Sequence, residues 1–187
     1  RPVAATPADE TNGPATPDGR RLLLTVGRGQ GDARHFQYFL LPLAGAAGAL
    51  PNTRGAMPGA LLSPRAVLLH PAFSPDGGRL LFESESDALR DLYQAVLPGD
   101  GRAAPQPWTR NREGNFWPAP CRSPAGSRIR DPLVAFASSR DRSSQIYRMR
   151  WGGGDLRWLT YSGGSKWDVQ CVGDRIYFVS DADGADR

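Results

Sequence analysis

The apolar residues of this chain come in short bursts, separated by glycine, proline and acidic positions. The longest runs, 21–26 and 39–43, are strand-sized. Neither approaches the ~18 uninterrupted apolar residues that a membrane-spanning helix needs. In Arg79-Leu80-Leu81-Phe82-Glu83-Ser84 the apolar residues are consecutive rather than alternating. That is the pattern of an interior strand covered on both faces. Residues 44–62 are rich in Ala, Gly and Pro and carry no 3.6-residue apolar stripe, so they read as a long loop. No convincing helix appears, and the predicted class is all-β.

The bursts repeat. The clearest unit begins Pro71-Ala72-Phe73-Ser74-Pro75-Asp76-Gly77, passes through Leu80-Leu81-Phe82 and Leu92-Tyr93, and closes near Trp108-Thr109. A second holds Val134-Ala135-Phe136, Ile146-Tyr147 and Trp158-Leu159-Thr160, and a third starts at Trp167 and reaches Ile176-Tyr177-Phe178. An earlier, weaker unit contains Thr16-Pro17-Asp18-Gly19 and resumes at Phe36-Gln37-Tyr38. Phe82 to Phe136 is 54 positions, Tyr93 to Tyr147 is 54, and Phe136 to Phe178 is 42. Such a period, with several strands per repeat, is β-propeller spacing. The Pro-Asp-Gly step has a physical basis: Pro presets φ, Asp bonds nearby backbone, and Gly accepts positive φ.

These signals predict a partial β-propeller of about four blades, each a four-stranded antiparallel sheet. The blade units fall at approximately 14–62, 63–110, 111–162 and 163–187, with the last cut short. Phe82, Phe136 and Phe178 are expected at equivalent buried positions on the second strands, and Tyr93 and Tyr147 on the third. Residues 1–14 are Pro/Ala-rich and polar and offer no clear first strand for the first unit. An open arc of a larger propeller is therefore expected, with the rest of the ring supplied by chain outside this sequence.

Charge changes the picture little. The net charge is +4, and Lys166 is the only lysine. Arginines are scattered from end to end rather than gathered on a basic stripe with aromatics, so nucleic-acid binding is not expected. No membrane insertion is expected either.

The quoted residues resemble the Pro-Asp-Gly propeller repeat typified by the TolB family of the bacterial cell envelope. The same repeat occurs in the non-catalytic propellers of prolyl-oligopeptidase-like and tricorn-like peptidases. Residues 71–97 and 134–160 carry the likeness, 167–181 match the start of a repeat, and 16–41 match loosely. Departures are Pro124-Ala125-Gly126, which lacks the Asp, an apparent insertion at 130–133, and Val172-Gly173-Asp174 in place of the full turn. The resemblance implies a non-catalytic scaffold that binds a protein or peptide partner in the periplasm or another extracytoplasmic space. It also implies an alternative, an accessory propeller that gates or presents substrate to a peptidase domain.

Candidate chemistry is sparse. No G-x-S-x-G elbow is present, and Ser162-Gly163-Gly164-Ser165 reads as an inter-blade loop. His35 and His70 stand in no metal spacing and read as surface or turn residues. Asp181-Ala182-Asp183-Gly184-Ala185-Asp186 has half the look of a calcium loop but matches the ordinary turn after a second strand. No cofactor, metal or catalytic residue is expected. Trp108 and Trp158, each near a closing Thr, read as equivalent blade-packing residues. Trp117 and Trp167 lead into new first strands, near the ring faces, and are the expected partner-binding residues. Cys121 and Cys171 read as two buried small apolar residues, with a bridge between neighbouring blades as the alternative.

Overall fold

The structure, a computed structural model, describes residues 9–28, 35–43, 68–86, 89–97, 104–111, 113–122, 131–161 and 163–182. The expected loop at 44–62, the turn at 123–126, Ser162, residues 183–187 and the side chain of His35 lie outside the described residues. The described chain holds thirteen strands and no helix.

Four antiparallel sheets follow one another in chain order. The first contains β1 (Asp9–Ala15), β2 (Arg21–Arg28) and β3 (His35–Pro42). The second contains β4 (Leu68–Phe73), β5 (Arg79–Ser86), β6 (Leu89–Val96) and β7 (Gln106–Pro107). The third contains β8 (Asn115–Cys121), β9 (Leu133–Asp141), β10 (Ser143–Arg150) and β11 (Arg157–Trp158). The last is the hairpin of β12 (Lys166–Val172) and β13 (Arg175–Ser180). The first strands touch in series, β1 to β4, β4 to β8 and β8 to β12. They form the inner wall of a partial propeller, and β7 and β11 form the outer edges.

Local chemistry sets the turn between first and second strands. Ser74 Oγ donates to Asp76 Oδ1 and accepts from Arg79 N–H, and Gly78 N–H donates to the same carboxylate oxygen. Thr16, Asp18 and Arg20 reproduce the arrangement in the first sheet, and Gly19 and Gly77 supply φ of 68° and 71°. The closing Thr has an equally fixed role. Thr109 Oγ1 accepts from Leu92 N–H and donates to Asp91, and Thr160 Oγ1 does the same with Ile146 and Gln145.

The core lies between blades. Leu23, Tyr38, Leu80 and Phe82 meet between the first two sheets, and Leu92, Phe136 and Tyr147 between the second and third. Leu80, Leu81, Phe82, Glu83 and Ser84 are all buried, as an interior strand requires. Phe82 stands opposite Tyr93 and Phe136 opposite Tyr147, with both pairs of rings stacked at 6.2 Å.

Four expectations are corrected. Residues 9–15 do form a first strand, although Asp, Asn, Gly and Pro are poor strand formers; pairing with β2 overrides propensity. Phe178 occupies the same register position as Phe82 and Phe136, but it is 40% exposed against 1% and 0%. The described last sheet has no third strand beside it to bring up a stacking tyrosine. Trp108 and Trp158 are not equivalent. Trp108 N–H donates to Leu92 O and Leu159 N–H to Ile146 O, so Leu159 is the counterpart of Trp108. Trp158 pairs with Tyr147 as Pro107 pairs with Tyr93. Finally, Cys121 and Cys171 are disulfide-bonded, with Cα atoms 5.1 Å apart. The neighbouring first strands β8 and β12 bring them within bridging range.

Candidate binding wall

Each first strand carries an irregularity at the same place. The register shifts after Asn12 in β1, Leu69 in β4, Phe116 in β8 and Trp167 in β12. Two residues there face one on the second strand: 13–14 against Leu23, 70–71 against Phe82, 117–118 against Phe136 and 168–169 against Phe178. These are β-bulges, which re-aim side chains. Pro14, Pro71 and Pro118 hold the second bulge position in three blades. A bulge is where proline costs least, because the extra residue has no ladder bond to lose.

The first bulge position is the informative one. His70, Trp117 and Asp168 occupy it with φ of 47°, 48° and 50°. That region is uncommon for any residue but glycine and an outlier for a bulky one. Holding such a residue there costs about 1–3 kcal/mol. The repeated bulge thus presents an imidazole, an indole and a carboxylate from consecutive strands of the inner wall.

These groups are linked. The His70 and Trp117 rings lie 5.2 Å apart at 43°. His70 Nδ1 contacts Glu83 Oε1, in a pair whose side chains are 44% and 0% exposed. Among the described residues the buried Glu83 Oε2 has no hydrogen-bond partner. The Arg90 guanidinium lies over Phe116, 5.9 Å from the ring centroid. Burial holds the His70 pKa below its ordinary value; the Arg90 charge acts in the same direction and Asp168 opposes it.

Glu83 has no counterpart in the other blades. The equivalent residues by register are Leu24, Ala137 and Val179, paired with Asn12, Phe116 and Trp167 as Glu83 is with Leu69. The fold fills this position with apolar side chains, so the acid is not a requirement of the blade.

Both tryptophans expected at the partner surface lie on inner strands, one position out of step. Trp117 is a bulge residue, whereas Trp167 pairs with Val179 and corresponds to Phe116. Both are half-buried. Sequence reasoning missed His70, Asp168 and Glu83. The signal was the recurrence of a large residue before proline, His70-Pro71 and Trp117-Pro118, at the same point of the repeat. Among the described residues no group of His, Cys, Asp and Glu side chains is placed to hold a metal ion.

No protein-family model matches this chain, and no curated protein matches it. Solved structures share its fold. TolB from Acinetobacter baumannii matches with a TM-score of 0.67 at 21% identity, over 98% of this chain and 40% of that one. A putative TolB from Agrobacterium tumefaciens matches at 0.57 and 23% identity, over 100% of this chain and 75% of that one. A puromycin-hydrolyzing peptidase from Mycobacterium tuberculosis matches at 0.56 and 15% identity, over 85% of this chain and 24% of that one.

Proposed function

We propose that this chain is a non-catalytic propeller scaffold, TolB-like in kind, that binds a protein or peptide partner on its inner wall. The observation that carries the reading is the bulky Trp117 held at positive φ at the bulge, with His70 and Asp168 at positive φ at the same position of two other blades. Glycine would satisfy the bulge without strain. Side chains kept against that cost point to a use outside the fold. Trp117 supplies the aromatic anchor typical of binding hot spots, and Trp167 flanks it. The partner is a protein or peptide rather than nucleic acid, because the wall carries carboxylates instead of a basic stripe. The Cys121–Cys171 bridge suits an oxidising, extracytoplasmic compartment such as the periplasm or cell envelope.

Selection of a random-peptide library on the immobilised chain, followed by affinity measurement, tests this. Recovered peptides should lose at least tenfold in affinity on Trp117→Gly, with the fold unchanged by circular dichroism. Peptides that bind Trp117→Gly as well as the parent chain would place recognition elsewhere.

The similarity to a peptidase favours a second reading, in which the wall receives substrate for a catalytic domain on the same polypeptide. The full-length gene separates the two. A downstream hydrolase domain favours the second reading, and propeller blades alone favour the first.

A further inference from the structure

The His70–Glu83 pair is more specific than a scaffold needs. A buried carboxylate is costly unless its oxygens are satisfied. Glu83 is fully buried, and Oε2 has no partner among the described residues. The position is apolar in every other blade, so packing does not explain it. Its partner His70 is also the part of the pair that reaches the wall, with nearly half of its side chain exposed. With Glu83 as the carboxylate, it accepts from His70 Nδ1–H, and the neutral imidazole that burial favours keeps Nε2 as an acceptor. The buried negative charge behind the ring makes Nε2 a better acceptor.

We propose that this corner of the wall is a receptor for a primary ammonium group, deepening the binding role proposed above and resting on it. The ammonium donates to His70 Nε2, with Glu83 behind the imidazole as the buried counter-charge. The face of Trp117, 5.2 Å from the imidazole, takes the adjoining alkyl stem and part of the cationic charge. Asp168, on the next first strand and close enough to act on His70 electrostatically, supplies the second negative charge. Among the described residues the Arg90 guanidinium acts on His70 in the opposite sense, and it lies over Phe116. An ammonium group on a protein or peptide partner is either a lysine side chain or a free N-terminus, and both share this chemistry.

The chain has only two histidines, so ring resonances report the site directly. The probes are Nα-acetyl-lysine methylamide, glycinamide for a free N-terminus, and Nα-acetyl-norleucine methylamide as the uncharged control. Isotope-edited NMR of the imidazoles at neutral pH should show a saturable shift of His70, and not of His35, with one or both ammonium probes. The preferred probe identifies the source of the group. Asp168→Asn, an exposed substitution that leaves the core intact, should weaken the response at least threefold. Glu83→Gln should weaken it further, provided that it folds. Absence of a saturable His70 shift, an equal shift with the norleucine control, or an unchanged response in Asp168→Asn would overturn the proposal. Library peptides that need Trp117 yet carry no ammonium near it would also overturn it, while leaving the scaffold reading intact.

Discussion

The indole N–H of Trp108, at the outer edge of the second blade, donates to the backbone carbonyl of Trp151 in the third at 2.6 Å. Trp151 is buried, and its own indole N–H returns across the same boundary to Gln94 Oε1 at 2.8 Å. The Arg79 guanidinium covers the Trp151 ring at 4.5 Å. The two blades are therefore joined by reciprocal polar contacts inside an apolar seam of Leu81 and Val134. Trp151→Ala should cost about 3–5 kcal/mol. Differential scanning calorimetry should show a fall of roughly 10 °C in the midpoint, at about 2–4 °C per kcal/mol for a chain of this size. Trp151→Phe, which keeps much of the apolar bulk but loses the bond to Gln94, should cost about 1–2 kcal/mol.

The disulfide closes a loop with a sequence separation of 50. In the chain-entropy model such a loop contributes about 4 kcal/mol, as an upper estimate. Reductant should lower the guanidinium unfolding midpoint of the parent chain and leave that of a Cys121→Ser/Cys171→Ser double variant unchanged. Equal midpoints with and without reductant in the parent chain would mean that no bridge forms.

Asp168 is exposed and has positive φ, so its backbone strain is separable from packing. Asp168→Gly should be about 1 kcal/mol more stable than Asp168→Ala, because alanine keeps the steric cost at positive φ and glycine does not. Chemical denaturation of the two variants measures the difference directly. Reversal of that order would argue against the left-handed bulge.

His70 has its pKa held below the ordinary value of about 6.5, chiefly by burial. The unfolded chain then binds a proton more readily than the folded one below that pH. Stability from this residue is fully present above about pH 6.5 and declines as pH falls through and below it. Unfolding free energy measured from pH 8 to pH 5 should fall more steeply in the parent chain than in His70→Gln. Asp76 acts lower in the range. Ser74 and the Gly78 N–H hold its carboxyl below 3.8, so its contribution persists until pH falls under that value.

Phe136 and Phe178 share a register position but differ in cover. Phe136→Ala should cost about 3–5 kcal/mol, whereas Phe178→Ala should cost a small fraction of that in this chain. Tyr177 and Val179 are also exposed, on the other face of the same strand. Exposed apolar strand surface invites association. Val179→Lys should lower the sedimentation-average mass if the chain self-associates through this sheet, and a mass unaffected by the charge would assign association elsewhere.

Much of the fold was legible because turn chemistry and strand registers recur. Ser74-Pro75-Asp76-Gly77 and Leu92-Tyr93 each have one physical role, and their spacing carries over between blades. What escaped were features set by neighbours rather than by local pattern. β1 is unrecognisable by propensity and exists because β2 pairs with it. The mismatch of Trp108 and Trp158 arises from a one-residue difference before the closing Thr, already present in Trp108-Thr109 against Trp158-Leu159-Thr160 and fixed by the hydrogen-bond register. The wall was half legible: Trp117 and Trp167 were found as aromatics near first strands. The bulge that aligns His70 with Trp117 and Asp168 needs the pairing of first and second strands. Glu83 was hidden because the run that contains it reads as an interior strand, and only the register shows that the other blades place Leu24, Ala137 and Val179 there.

The bridge between the first strands of the last two sheets also governs how the chain bears load. With Cys121 and Cys171 joined, residues between them cannot be drawn out by a pull on the two ends. At about 3.3–3.6 Å per extended residue, some 170 Å of contour stays hidden under tension until the bond is reduced. The inner strand of the last hairpin is therefore tethered to the third blade, so an end-on pull can strip β13 but cannot draw β12 away from β8. In a force-extension experiment the bridged chain should stop short of its full contour length by that amount, and reductant should restore the missing length.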